Sequence, residues 1–418
     1  MNRLCQFWNY AAKVFALPSR LATISDRRPE AVIPTRALTA SLFLAAVLRV
    51  PSLLQLESET KRKGWQRVIG WLGRISDDAF GYALERFNVE EVRSVLVSVN
   101  QTLKQNKALN SAKIGGLLVV ALDSNEQFKS RHRCCESCCL REIELKDAAG
   151  KTQTVTEYYH RQVYAQIHGP ELSTILDLEP IRPGEDEAAA ALRLLGRMRR
   201  LYGPRFFDVI TVDAWYATGP FVRAVQRLGW SVVAVLKQQR YEIYGETTRL
   251  SALVKPQELV WQGRQVKLKE IKALAFTDEE IGPMRVVVAD EKWSEKQRIN
   301  GATLTVQKES HWRWLADHSL DSSPAEVIHA IGHQRWGIEN HAFNELTKYY
   351  HLRHCPRHEP TAILVWLLFR VLGFNLFEYF VRLNGKLWRQ GQTTLLAEAK
   401  ELDRALERLD ELQPIWSG

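Results

Sequence analysis

At 418 residues, the chain is too long for one typical hydrophobic core, and about two or three domains are expected. Its 45% hydrophobic and 25% charged residues exclude a disordered chain. A net charge of +9 favours a polyanionic partner, nucleic acid before a membrane surface, and leaves open a soluble enzyme that is simply basic.

The amino end, MNRLCQFWNYAAKVFALPSR, lacks a clean apolar run followed by a small-residue cleavage site, so no secretory signal is expected. Residues 1–110 read as a helical N-terminal region. ISDDAFGYALERFNVEEVRSVLVSVNQTL carries apolar residues at helical spacing, with Ser76 placed as an N-cap. The cluster KRKGWQR offers Lys61, Arg62 and Lys63 as DNA contacts, the alternative being an ordinary solvated face.

At residue 115 the pattern changes. GGLLVVALD is short and continuously apolar, as a central strand buried on both faces would be. RHRCCESCCLRE follows, with two overlapping cysteine pairs. Cys135 and Cys138 make a candidate Zn²⁺ knuckle, with either His160 or the cluster HLRHCPRH (351–358) to supply the remaining ligands; the alternative is small buried thiols in a reducing compartment. YYHRQVYAQI and ELSTILDLEPI predict strands. GEDEAAAALRLLGRMRRLY predicts a helix whose acidic first turn (Glu185, Asp186, Glu187) complements the helix dipole rather than holding metal. FDVITVD and WSVVAVLK predict two more buried strands around the helix PFVRAVQRLG, which together specify a mixed α/β sheet.

Between 240 and 315 the apolar period becomes two, predicting a β-rich insertion. SSPAEVIHAI then opens a helix, with Ser323 as N-cap, Pro324 at N1 and Glu326 at N3 in a capping box. The spacing predicts that this helix runs on as one unit through HQRWGIENHAFNELTKYY (333–350), its stripe Ile331, Ile338, Ala342, Leu346 and Tyr349 facing the sheet. His333 and His341 read as surface or DNA-facing residues on it, and Trp336 as core. TAILVWLLFRVLGFNLFEYF (361–380) contains Arg370, Asn375 and Glu378, so it reads as a buried helix rather than a membrane span, and a cytoplasmic, nucleoid-associated protein is expected.

Two of the buried strands end in aspartate, Asp123 and Asp213. Ligands of open α/β sheets sit outside the carboxyl ends of the strands. Two acids there repel unless a cation lies between them, and oxygen donors favour Mg²⁺ or Mn²⁺. Glu339 supplies a third acid, one helical turn from Arg335; in isolation that pair is only a weak i,i+4 ion pair.

DSN (123–125), VDAWYATGPF (212–221) and RWGIENHAFNEL (335–346), in this order, resemble the three catalytic blocks of the DDE transposases of bacterial insertion sequences. PGEDEAAAALRLL and VLGFNLF are also similar to family members, and the likeness spans about 115–385. The resemblance implies an α/β, RNase H-like core with a β-rich insertion and helical N- and C-terminal regions. On this chain that gives 1–110 as the DNA-binding region, 111–239 and 316–385 as the two parts of the core, 240–315 as the insertion and 386–418 as a C-terminal helical region. It implies Asp123, Asp213 and Glu339 as ligands of a two-metal Mg²⁺ or Mn²⁺ site, with Arg335 and Lys348 on DNA phosphates. A tyrosine three residues before the arginine and a lysine seven or eight after the glutamate are frequent in the family; here those positions hold Gly332, and Leu346 or Thr347. The implied activity is metal-dependent endonuclease action and strand transfer in DNA transposition and recombination, by a homodimer on the paired inverted repeats of its own element. The same residues are compatible with an RNase H-like nuclease or resolvase, or with a catalytically silent DNA-binding derivative.

Overall fold

The computed structural model describes residues 2–146, 150–237, 239, 241–276, 279–299 and 302–409. Seven helices come first: α1 (Arg3–Phe15), α2 (Leu17–Ala22), α3 (Thr35–Val47), α4 (Leu53–Glu59), α5 (Lys63–Ile69), α6 (Asp77–Leu84) and α7 (Val89–Gln105). Strands β1 (Val119–Ser130), β2 (Cys139–Lys146), β3 (Thr152–His168) and β4 (Ser173–Pro180) follow, then α8 (Glu187–Tyr202), β5 (Val209–Val212), α9 (Gly219–Arg227) and β6 (Ser231–Val235). Next come α10 (Glu242–Ser251), β7 (Gln257–Trp261), β8 (Arg264–Leu274), β9 (Met284–Ile299) and β10 (Ala302–Asp317). The chain continues through α11 (Ala325–Gln334), a π-helical segment (Ile338–Phe343), α12 (Asn344–Tyr349), α13 (Pro360–Asn384), α14 (Lys386–Arg389) and α15 (Leu395–Glu407).

One mixed sheet organises the molecule. β4 and β1 flank β3 antiparallel to it, and β1, β5 and β6 run parallel, so the path β4-β3-β1-β5-β6 is that of an RNase H-like core. β10 joins β6 antiparallel and carries β9, β8 and β7 outward, so the inserted strands extend the same sheet. The apolar runs in β1, β5 and β6 follow from burial on both faces. Val120, Ile210, Val232 and Ala234 face one core, and Val119, Val209, Val233 and Val235 face a second core beneath α11.

α13 is long and apolar enough to cross a membrane, but it lies inside the protein. It packs against α3, α7 and β4. Its polar residues are bound internally: Asn375 Nδ2 donates to the Ile175 carbonyl at 2.8 Å, and the Ile175 N–H donates back to Oδ1 at 3.0 Å. Arg370, fully buried, donates to the Ala45 and Val50 carbonyls of the N-terminal helices. The N-terminal helices, α13 and one face of the sheet therefore share a continuous apolar core.

Several elements depart from the sequence expectations. Ser76 does cap α6, accepting from the Ala79 N–H at 3.2 Å, but α7 is a separate helix capped by Asn88. Asp186 caps α8, while Glu185 and Glu187 pair with Arg193 and Arg161, as structural acids would. The predicted capping box is absent. Pro324, with extended backbone, is the N-cap of α11, and Glu326 instead accepts from Gln257. The stretch 333–350 is not one α-helix: α11 ends at Gln334, and the π-helical segment separates it from α12.

Candidate active site

The pairing of β1 with β5 runs Val119↔Val209, Val120↔Ile210, Ala121↔Thr211. Extended two residues beyond the paired positions, that register would set Asp123 opposite Asp213, neighbouring strands being about 4.8 Å apart. Strand alternation puts both on the face that α11 covers, with Val119 and Val209 beneath them. Asp213 ends β5 and turns the chain, its Oδ1 accepting from the Trp215 N–H at 2.8 Å. Asp123 Oδ1 accepts from the Ser124 N–H at 2.8 Å.

α11 is fixed on the sheet by Ile328 and Ile331, and Thr211 of β5 donates to the Ile331 carbonyl at 3.3 Å. That contact carries Arg335 and the π-helical segment to the two aspartates. Arg335 Nη1 donates to Glu339 Oε1 at 2.7 Å and to Asp123 Oδ2 at 3.3 Å. Its Nε has no partner among the described residues. Single-turn π segments recur at functional sites because they re-aim side chains without breaking the helix. Gly337 makes the approach possible, since a Cβ there would fall 2.2 Å from His168 of β3.

The electrostatics are those of a site short of positive charge. Burial pushes the Asp123 carboxyl up to about 7, and the hydrogen bond it shares with Glu339 adds to this against the opposing Arg335. Burial also pushes Glu339 up, but hydrogen bonds from Arg335 and Asp123 outweigh it and hold that carboxyl below its usual range. Carboxyl oxygens of Asp123 and Glu339 gathered at one buried arginine are donors that fit a hard divalent cation.

Lys237, two residues beyond β6, was not singled out from the sequence. Its charge acts on Glu339, and its Nζ lies 5.6 Å from the Trp312 ring centre. The strand-end rule that picked out the aspartates applies equally to this third parallel strand. Lys348 is exposed on α12, its Nζ 5.1 Å from the Tyr349 ring. Lys61 and Lys63 are exposed at the α4–α5 corner, whereas Arg62 is drawn into ion pairs with Glu59 at 2.6 Å and Asp403 of α15 at 3.4 Å.

His333 and His341 are half-buried, line the cleft beside Trp336 and are held by polar partners. His333 and His329 both hydrogen-bond Glu291 Oε1, at 2.5 and 2.9 Å, and Arg264 holds Oε2 at 2.7 Å. His341 lies 3.0 Å from Arg382 Nη2. Trp336 is half-buried and stands edge-on to Trp312 at 4.6 Å, lining a cleft of 690 Å³ with Trp261, Trp293 and His168 rather than packing in the core.

Away from these carboxylates, Cys135, Cys138 and His160 meet as the sequence suggested, and His358 from the 351–358 cluster joins them.

Residues 173–376 match the family model described as the transposase DDE domain. That range includes Asp213, Arg335 and Glu339; Asp123 lies before it. No curated protein matches the sequence significantly. Among solved structures, the chain is similar to a piggyBac transposase synaptic complex with hairpin DNA, at 13% identity and a TM-score of 0.44 over 98% of this chain and 80% of that one.

Proposed function

We propose that the chain is a DDE transposase of an insertion sequence and cuts and joins DNA strands at Asp123, Asp213 and Glu339; the match of residues 173–376 to the transposase DDE domain supports this reading. Mg²⁺ or Mn²⁺ held by these three carboxylates supplies the Lewis acidity for in-line attack of water or a 3′-hydroxyl on a phosphodiester. Asp123 and Asp213 hold one side of the site from neighbouring strands, and Glu339 closes it from the π-helical segment. Arg335, whose fork reaches both Asp123 and Glu339 and keeps Nε free, orients the scissile phosphate. Lys237 and Lys348 add phosphate contacts at the rim, and Lys61 and Lys63 meet flanking DNA. Trp336 offers its ring to a base displaced from the duplex. The active species is a homodimer on paired element ends, working in the cytoplasm at the nucleoid.

The observation that supports this reading is the meeting of Asp123 of β1 and Glu339 of the segment after α11 at one buried arginine, with Asp213 at the end of the strand paired to β1. A plasmid bearing the gene's own flanking sequence tests it. With Mg²⁺ or Mn²⁺, the wild type should nick at the flanks, and Glu339→Gln should not. Nicking without regard to the flanks would replace transposase by a general nuclease, and tight flank binding without nicking would leave a silent binder. Binding should also weaken steeply with salt, the logarithm of affinity falling linearly with that of salt concentration, because phosphate contacts release counterions. A flat dependence would remove DNA as the partner.

A further inference from the structure

A second cluster lies apart from the three carboxylates. Cys135 and Cys138 sit on the turn between β1 and β2, where the Cys138 N–H donates to the Cys135 carbonyl at 3.1 Å. His160 comes from β3, and His358 from the loop before α13. Cys135 Sγ is 3.8 Å from Cys138 Sγ and 3.4 Å from His160 Nε2. Cys138 Sγ is 3.3 Å from His160 Nε2 and 3.2 Å from His358 Nε2. All four ligand atoms lie within 4.8 Å of one another.

A tetrahedral zinc ion, with Zn–S near 2.3 Å and Zn–N near 2.0–2.1 Å, sets its ligand atoms about 3.8 Å apart for S···S and about 3.6 Å apart for S···N. The four separations given above fall at or inside those values, and the two remaining pairs lie within 4.8 Å. One bound ion accounts for them all, whereas hydrogen bonding would ask a single weakly accepting sulfur, Cys138 Sγ, to serve three ligand atoms and a backbone N–H at once. The Cys135 N–H donates to Cys138 Sγ at 3.3 Å, as a backbone donor to a metal thiolate would. Phe128 covers the group, stacked on His160 at 5.3 Å and edge-on to His358 at 4.7 Å. Cys355 lies beside the cluster but donates its thiol to the Arg357 carbonyl, and Cys134 is exposed.

We propose that Cys135, Cys138, His160 and His358 form a structural Zn²⁺ site that fastens the β1–β2 turn and β3 to the segment leading into α13. Three of its four ligands lie outside the range matched by the transposase family model. The four protein ligands close the coordination shell, which marks a structural rather than a catalytic zinc. Its place in the fold gives it a purpose. β1 carries Asp123, and His358 lies 19 residues after Glu339 in the sequence, so the ion pins the strand before the site to the chain that follows it. The proposal does not depend on transposition, because zinc content is read without any DNA.

The test uses the full-length protein purified without chelator. Elemental analysis should find one zinc per chain, and cobalt reconstitution should give the visible bands of a tetrahedral site with thiolate ligands. Cys138→Ser and His358→Ala should each lose stoichiometric zinc, while Cys134→Ser and Cys355→Ser keep it. A strong chelator should lower the melting temperature of the wild type by roughly 5–10 °C, since an ion bound only by the folded state stabilises it by mass action. Wild-type protein lacking stoichiometric zinc, and giving no thiolate–cobalt bands, would overturn the site even if the variants fail to fold. Zinc retained in both Cys138→Ser and His358→Ala would overturn the ligand assignment.

Discussion

Asp123→Asn and Asp213→Asn should each reduce metal-dependent strand cleavage at least about 100-fold, the upper end of what losing a residue that only hydrogen-bonds a metal ligand costs. Folding should be spared. Asn is isosteric with Asp, and the local hydrogen bonds need only an acceptor oxygen: Asp213 accepts from the Trp215 N–H, and Asp123 from the Ser124 N–H. What is lost is charge at the carboxyl ends of two paired parallel strands. DNA binding, which the proposed function assigns to Arg335, the lysines and the helical region, should be nearly unchanged in both. Cleavage in Mg²⁺ and in Mn²⁺, binding to the flanking sequence and thermal melting separate these outcomes. Cleavage by either variant at the wild-type rate would remove the aspartates from the metal site.

The strands that carry the aspartates were legible because central parallel strands leave a distinctive mark. Burial on both faces forces a continuous apolar run, and the first polar residue after it stands at the carboxyl end, where sites form. VVALD and VITVD have that form and no competing one. β2 left no such mark: Leu140, Glu142 and Glu144 are exposed, and its only strong partner is β3, so its alternation was hidden behind the cysteines. The break in 333–350 was equally hidden. Arg335 and Glu339 lie four apart whether the backbone is α-helical or passing into a π turn, and Ile331, Ile338, Ala342 and Leu346 are buried either way. Periodicity reports which face is apolar; it does not report that Gly337 has to let the chain down onto His168. The inward turn of His333 was unreadable for a different reason. Its partner, Glu291, sits on an inserted strand 42 residues away, and only the β8–β9–β10 pairing brings it beneath α11.

Gly332→Ala should destabilise the protein, although alanine is the better helix former by about 1 kcal/mol. A Cβ at 332 would lie 2.1 Å from Trp314 Nε1 and 2.4 Å from two further ring atoms. The ring has little room to yield. It is fully buried on β10, that residue is paired with Val235 of β6, and His329 and His333 stand against it at 5.2 Å each. Overpacking of this kind costs about 1–3 kcal/mol, and because backbone rather than a flexible tip would have to move, the upper end is expected. The melting temperature should fall by roughly 2–4 °C per kcal/mol. Cleavage should fall with it, since α11 places Arg335. Trp314 occupies the space that any side chain at position 332 would need. Trp314→Leu in the Gly332→Ala background should therefore recover part of the loss, so that the double variant is less damaged than the sum of the two single ones, as residues in direct contact require. Gly332→Ala melting at or above the wild-type temperature would mean that α11 can slide on the sheet, and that the approach of Arg335 to Asp123 is not fixed by Trp314.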